Sequence, residues 1–266
     1  MAGSMVYRNK VAEHNRPHMV KFRKAMKAIQ ARLDNHSFNH IAGFHGAPGF
    51  WCWHHQTFRG IKTTTRLFLP WHRAYLLALE QELQDNVADA ALPWWDWTSD
   101  RGIPDSYDVK EIENEPNPLY NYHIQVLHTI RNPAIDKVTI RFPGRHPFGR
   151  LPAKQEILNL LNYSDWASFS DKLQDYHDGV HVWVGGDMFD PITAGFDPIF
   201  YAHHCMIDRI WYLWQLKWGN SGIPETILDL PLQPFAQKVR QVLDVQSLGY
   251  EYALDTTEID IGGNGQ

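Results

Sequence analysis

The chain has 266 residues, 44% of them hydrophobic and 21% charged, a balance that suits one large folded domain or two small ones and excludes wholesale disorder and fibrous repeats. With 25 Lys and Arg against 30 Asp and Glu the net charge is −5, which gives neither nucleic acid nor an anionic membrane an electrostatic claim as partner. Cys52 and Cys205 are too few for a disulfide framework or a thiolate-built metal site, whereas 15 His and 11 Trp stand in excess.

In chain order, a first helix is expected over 17–33, where Met19, Phe22, Met26, Ile29 and Leu33 recur at three- and four-residue steps. From 39 to 65 that period lapses into Gly43, Gly46, Pro48 and Gly49, then a Trp- and His-rich stretch and three threonines, read as an ordered loop. A second helix follows Pro70 and carries His72, Tyr75, Leu76, Leu79 and Leu83 to about Val87, with Glu80, Glu82 and Asp85 outward or paired. The many prolines between 93 and 153 argue for irregular excursions there. A third helix is expected from Asp165 to about His181, ended by Gly185-Gly186, and a fourth over 199–218, apolar on nearly every side and therefore central. Beyond Gly219 come a short basic helix around 238–245 and strand-like 250–261. With no repeat and no linker, 1–266 reads as one domain with its core at about 17–218 and a C-terminal extension at about 219–266.

No apolar run approaches the roughly 20 residues that span a bilayer, and the first residues lack the order of a secretion signal. The expectation is a soluble protein, cytoplasmic or exported by a route the chain does not encode, with a cloning remnant ahead of a natural start at Met5.

Histidine binds transition metals as a neutral ligand, and its placement here is uneven. His177 and His181 lie four apart on the third helix, one turn apart on one face. His203 and His204 fall in the middle of the apolar fourth helix, where a buried imidazole is unfavourable unless both nitrogens are satisfied. Adjacent helical residues point about 100° apart, so one of the two is a ligand and the other a hydrogen-bonded core histidine. Upstream stand His45, then Cys52-Trp53-His54-His55, then His72 in the first turn of the second helix. Two clusters of three suggest two metals, and an all-imidazole set disfavours magnesium and calcium and fits copper or zinc.

Four stretches carry a resemblance: Phe-Leu-Pro-Trp-His-Arg-Ala-Tyr-Leu at 68–76, Pro93-Trp94-Trp95-Asp96-Trp97, His177-Asp178-Gly179-Val180-His181 through Gly186, and Asp197 through Trp211. They are similar to the two copper signatures of the tyrosinase family, which comprises tyrosinases, catechol oxidases and the oxygen-binding units of molluscan haemocyanins. The resemblance implies a mainly α fold: a four-helix bundle core holding a binuclear type 3 copper centre, two copper ions with three histidines each, amid long irregular loops and little β structure. Carried over, the first copper takes His45 and His72, and the second His177, His181 and His204, the last because the family's ligand lies four residues before the Asp that here is Asp208. The sixth ligand commonly lies nine residues before the match to His72, where this chain has Thr63; His54 is taken instead, with His55 as the alternative. Cys52-x-His54 resembles the Cys-x-His element that forms a thioether in some fungal and molluscan members. Asp96, Asp208, Arg73 and Arg209 resemble supporting residues.

The implied activity is oxidation of small phenols by dioxygen to o-quinones. Two positions bear on its scope as candidate catalytic residues. Gln174 stands where the family has a water-holding Glu, and Asp178 where an Asn often follows the first histidine of the pair. An amide cannot accept a proton as a carboxylate can, so o-diphenols and o-aminophenols are favoured over the monooxygenase step on monophenols that feeds melanin. The alternative is haemocyanin-like reversible oxygen binding without turnover; a zinc-filled structural relative is a third. The implied partners are a small phenolic substrate and dioxygen, with no nucleic acid and no membrane. No oligomer and no copper-delivery partner is specified. Trp51, Trp53, Trp71, Trp94, Trp95 and Trp97 read as core packing around the bundle, with stacking on a phenol as the alternative, and His14, His18, His36, His40, His123, His128 and His146 as surface or hydrogen-bonded residues.

Overall fold

The computed structural model describes residues 5–52, 67–128 and 133–253. It begins with strand β1 (Val6–Arg8) and helix α1 (Pro17–Gln30), which opens on a first-turn proline and buries Met19, Phe22, Ala25, Met26 and Ile29. α1 stops short of the expected Leu33, which is 94% exposed. Arg32 pairs with Asp34, and Asp34 accepts the His36 N–H, local bonding that competes with a further helical turn. The short α2 (Phe38–Ala42) is capped by Ser37 Oγ, which accepts from the His40 N–H at 3.1 Å. α3 (Phe68–Asn86) starts two residues before Pro70 and buries His72, Arg73 and Glu80 among apolar neighbours.

The proline-rich middle is more ordered than its composition suggests. It contains α4 (Asp105–Asp108) and the antiparallel pairs β2 (Glu111–Ile112) with β3 (Glu115–Pro116) and β4 (His123–Val126) with β5 (Ile135–Val138). α5 (Lys154–Leu160), absent from the sequence reading, has its start held by Glu156, which accepts the Ala153 N–H at 2.8 Å. α6 (Trp166–Val184) is capped by Asp165, accepting from the Ser168 N–H. α6 runs through Val184 and ends at Gly185-Gly186, the stop expected from the sequence. There Gly186 has φ +58°, and a Cβ would lie 2.0 Å from the Ile140 carbonyl oxygen, so only glycine fits. α7 spans Ile199–Trp218, as expected. After α8 (Glu225–Leu228), the anticipated basic helix is a single 3-10 turn, Val239–Val242. β6 (Tyr250–Tyr252) pairs in parallel with β1, and the rest of the anticipated strand lies outside the described residues.

α1, α3, α6 and α7 form the helical core, with α3 packed against the other three and α6 also against α7. Trp71, Trp94, Trp95 and Trp97 are fully buried in or around it, matching their reading as core, whereas Trp51 is 39% exposed and Trp53 lies outside the described residues; Trp166, Trp211 and Trp214 are fully buried as well. No helix among the described residues is long and apolar enough to cross a membrane.

A buried ionic network joins both ends of the described chain to the central pair α3 and α7. Arg8 on β1 donates to both oxygens of Glu80 on α3 at 3.0 and 2.8 Å, and to Asp208 on α7 at 3.1 Å. Arg73 on α3 donates to the same Asp208 at 2.6 Å, while Tyr250 and Tyr252 on β6 donate hydroxyls to it at 2.8 and 2.6 Å. Burial opposes ionisation of Asp208, but Arg73 and Arg8 outweigh it and hold the carboxyl below its ordinary 3.8. The network's contribution is therefore present above pH 3.8 and is lost as pH falls through the lower folded-state value. Removing one partner strands buried charge. Asp208→Asn is expected to lower the unfolding free energy by about 3–5 kcal/mol, measured by urea denaturation at pH 7; a loss below about 1 kcal/mol, the scale of an exposed pair, contradicts this account.

Candidate metal centre

α6 places His177 and His181 on one face, and α7 brings His204 opposite them. His177 Nε2 lies 3.1 Å and His181 Nε2 3.2 Å from His204 Nε2. The far side of two of these rings is pinned. His177 Nδ1 donates to Asp178 Oδ1 at 2.9 Å, and His181 Nδ1 to the Met188 carbonyl at 2.6 Å, from the 3-10 turn Gly186–Phe189 that follows α6. With Nδ1 protonated, each Nε2 directs a lone pair at the shared point. One proton on His204 Nε2 could serve only one of them. A cation serves all three, and nitrogens bonded to one transition-metal ion at about 2.0–2.1 Å would stand about 3.1–3.4 Å apart, the spacing found here. The residues therefore fit a metal.

The second cluster adjoins the first. His72 on α3 donates Nδ1 to the Phe68 carbonyl at 2.8 Å, and its ring stacks on His204 at 4.3 Å between centroids. His45, from the loop after α2, lies 5.7 Å from His72 between centroids and edge-on to Phe200 at 4.8 Å. Cys52 Sγ is 3.5 Å from His72 Nε2, so His45, Cys52 and His72 also converge. The sequence places Cys52 in a Cys-x-His element with His54; its closeness to His72 has no sequence signal. His54, His55 and Thr63 lie outside the described residues.

His203 groups geometrically with His177, His181 and His204. However, Trp97 Nε1 donates to its Nδ1 at 3.2 Å, which puts the His203 proton on Nε2, so it is the hydrogen-bonded core member of the adjacent pair. Burial favours the neutral form of His181, His203 and His204. It pushes His181 down to about 4, and His204 well below its usual range, with the neighbouring His72 and His177 adding to the effect. Of the supporting residues, Arg73 and Asp208 form the α3–α7 ion pair already described. Buried Arg209 lies over Trp94 at 4.2 Å, and burial lowers its pKa to about 10 against the opposing pull of Asp96.

A cavity of about 430 Å³ opens beside the imidazoles, lined by His45, Cys52, His177, His181, Asp178 and apolar residues including Phe50, Met188 and Phe189. Asp178 is 52% exposed and faces it. Gln174 is buried one turn before His177 on the same helix face and is not among the described residues lining the cavity, which separates the two candidate catalytic positions. Of the histidines outside both clusters, His18 contacts the Lys10 carbonyl, His36 pairs with Glu82 and His123 with Asp136.

The common central domain of tyrosinase matches residues 35–217. Haemocyanin β-C chain unit D of Helix pomatia is 30% identical over 227 residues, 77% of this chain and 52% of that protein; a tyrosinase of Streptomyces lincolnensis is 30% identical over 63% of this chain and 72% of its own. The chain thus spans about half the length of the Helix relative. A functional unit of octopus haemocyanin superposes with a TM-score of 0.73 at 25% identity, covering 93% of this chain and 68% of the unit. Oxidases and oxygen carriers both stand among the relatives, and their common ground is the metal. The chain belongs to the tyrosinase family of type 3 copper proteins, whose domain binds two copper ions.

Proposed function

We propose that this protein oxidises small o-diphenols and o-aminophenols with dioxygen, giving o-quinones and quinone imines. The observation that carries this reading is the cavity of about 430 Å³ against the imidazoles. Its volume falls in the range of small-molecule sites, and its walls are largely apolar with few polar groups, as an aromatic substrate requires. Reversible oxygen carriage asks for no such space.

His177, His181 and His204 would hold one copper, and His45 and His72 the other, with His54 as third ligand and His55 as its alternative. Bound copper supplies dioxygen binding and the one-electron redox changes. The protein's part is orientation and dryness. The Met188 and Phe68 carbonyls and the Asp178 carboxylate fix the rings of His181, His72 and His177 with Nε2 inward. Phe200, stacked on His204 at 4.0 Å, and Val182 and Ala194 in the cavity wall shield the centre from water. Asp178 Oδ1 holds the His177 proton, and its carboxylate faces the cavity where a phenolic hydroxyl would enter. Gln174 supplies no base. An o-diphenol, whose hydroxyls are readily deprotonated on metal binding, asks less of a protein base than a monophenol does.

Assays with catechol, 2-aminophenol and tyrosine are expected to show turnover of the first two and about a hundredfold or more slower turnover of tyrosine, the scale of one missing general base. A protein that binds dioxygen reversibly yet leaves catechol unoxidised would establish the carrier reading instead. For the ligand set, His177→Ala and His204→Ala are each expected to lower bound copper from two per chain to one or fewer, measured by metal analysis, while His18→Ala and His36→Ala keep both. Full copper in His204→Ala contradicts the assignment.

A further inference from the structure

The aromatic wall of the cavity continues past its mouth. Phe189 lines the cavity and is 54% exposed. His146 stacks against it, with 5.3 Å between centroids and 29° between planes, and Phe148 lies 5.7 Å from His146. Phe148 is 81% exposed. A lone exposed apolar side chain is ordinary; a row of rings continuous with a cavity wall needs a reason.

The segment presenting these rings is fixed to the helix that carries two candidate ligands. The Gly144 N–H donates to the Trp183 carbonyl at 2.8 Å and the Arg150 N–H to the Gly179 carbonyl at 3.0 Å, tying both ends of 144–150 to the last turns of α6. Within it, the Gly149 N–H donates to the His146 carbonyl, and the Phe148 N–H to His146 Nδ1 at 3.3 Å. Gly149 runs so close to α6 that a Cβ would meet Trp183 Cα at 2.6 Å. Phe189 ends the 3-10 turn whose Met188 carbonyl holds His181. Rings and imidazoles thus share one scaffold, and their spacing is set before any ligand arrives.

We propose that Phe189, His146 and Phe148 form an outer aryl subsite, so that the site favours phenols carrying a second flat, uncharged ring over bare phenols. The proposal rests on the cavity being the phenol site. Stacking on flat rings selects a planar apolar group. Asp178 is the one charged side chain among the described residues lining the cavity, so nothing described there rewards a carboxylate on the substrate.

The test is calorimetric titration of the copper-loaded and copper-free chain, under argon, with resorcinol and 4-phenylresorcinol, meta-diphenols that do not form o-quinones directly. In the wild-type protein the added phenyl ring is expected to tighten binding about tenfold, the scale of one or two stacked ring pairs. Phe148→Ala and His146→Ala are each expected to reduce that ratio to about threefold or less. A general disturbance of the cavity weakens both ligands alike and leaves the ratio unmoved. A wild-type ratio near one, or the same ratio in all three proteins, overturns the subsite; resorcinol binding that persists meanwhile leaves the phenol cavity standing. Failure of both ligands to bind any of the proteins removes the cavity reading and the subsite together.

Discussion

Five imidazoles packed at the centre of a helical bundle, three of them lining a cavity, impose the constraint from which the rest follows. A buried imidazole is held neutral by burial, and both of its nitrogens still need partners. Here the outer nitrogens of His72, His177 and His181 donate to a carbonyl, a carboxylate and a carbonyl. That leaves the inward lone pairs of His177 and His181 only 3.1 and 3.2 Å from His204 Nε2. Facing acceptors repel unless something positive stands between them. The apolar helices α3, α6 and α7 thus make sense as a unit only with metal at their centre, and the 3-10 turn after α6 owes its glycines to bringing the Met188 carbonyl back onto His181.

Such a centre demands that the helices bearing the rings hold their register. α3 and α7 carry His72 and His204, and the same two helices share the Asp208 carboxylate between Arg73, Arg8 and two tyrosine hydroxyls. Asp208 sits one helical turn from His204, and Arg73 adjoins His72, so the ionic network lies directly beside the candidate ligands. A buried network of this kind adds little net stability relative to apolar packing, yet it tolerates few alternative alignments. Through Arg8, Tyr250 and Tyr252 both described ends of the chain take part in that alignment.

What the sequence discloses depends on how local the cause is. α7 has its ends where Pro198 and Gly219 place them, and the i,i+4 pair His177 and His181 stands on one face as spacing requires. The choice between His203 and His204 could be narrowed by helical geometry to one of each kind, but the deciding partner, the Trp97 indole, lies 106 residues away. Arg8 has no signal within its own neighbourhood, because Glu80 and Asp208 meet it only after folding. The β4–β5 hairpin was obscured by surrounding prolines, although β4 alternates exposed His123 and Gln125 with buried Ile124 and Val126. α1 ends early because side-chain bonding around Asp34 overrides a stripe that continues through Leu33. Of the rim rings, His146 and Phe148 share one segment while Phe189 comes from the turn after α6, and nothing in the sequence announces that the two segments meet.

The most direct measurement of the central claim is anomalous diffraction at the copper edge from crystals of the copper-loaded protein. The account expects two strong peaks in one pocket, the first within bonding distance of Nε2 of His177, His181 and His204, the second within bonding distance of His45 and His72. A single peak there, or copper found only at peripheral histidines such as His36 or His123, would contradict it.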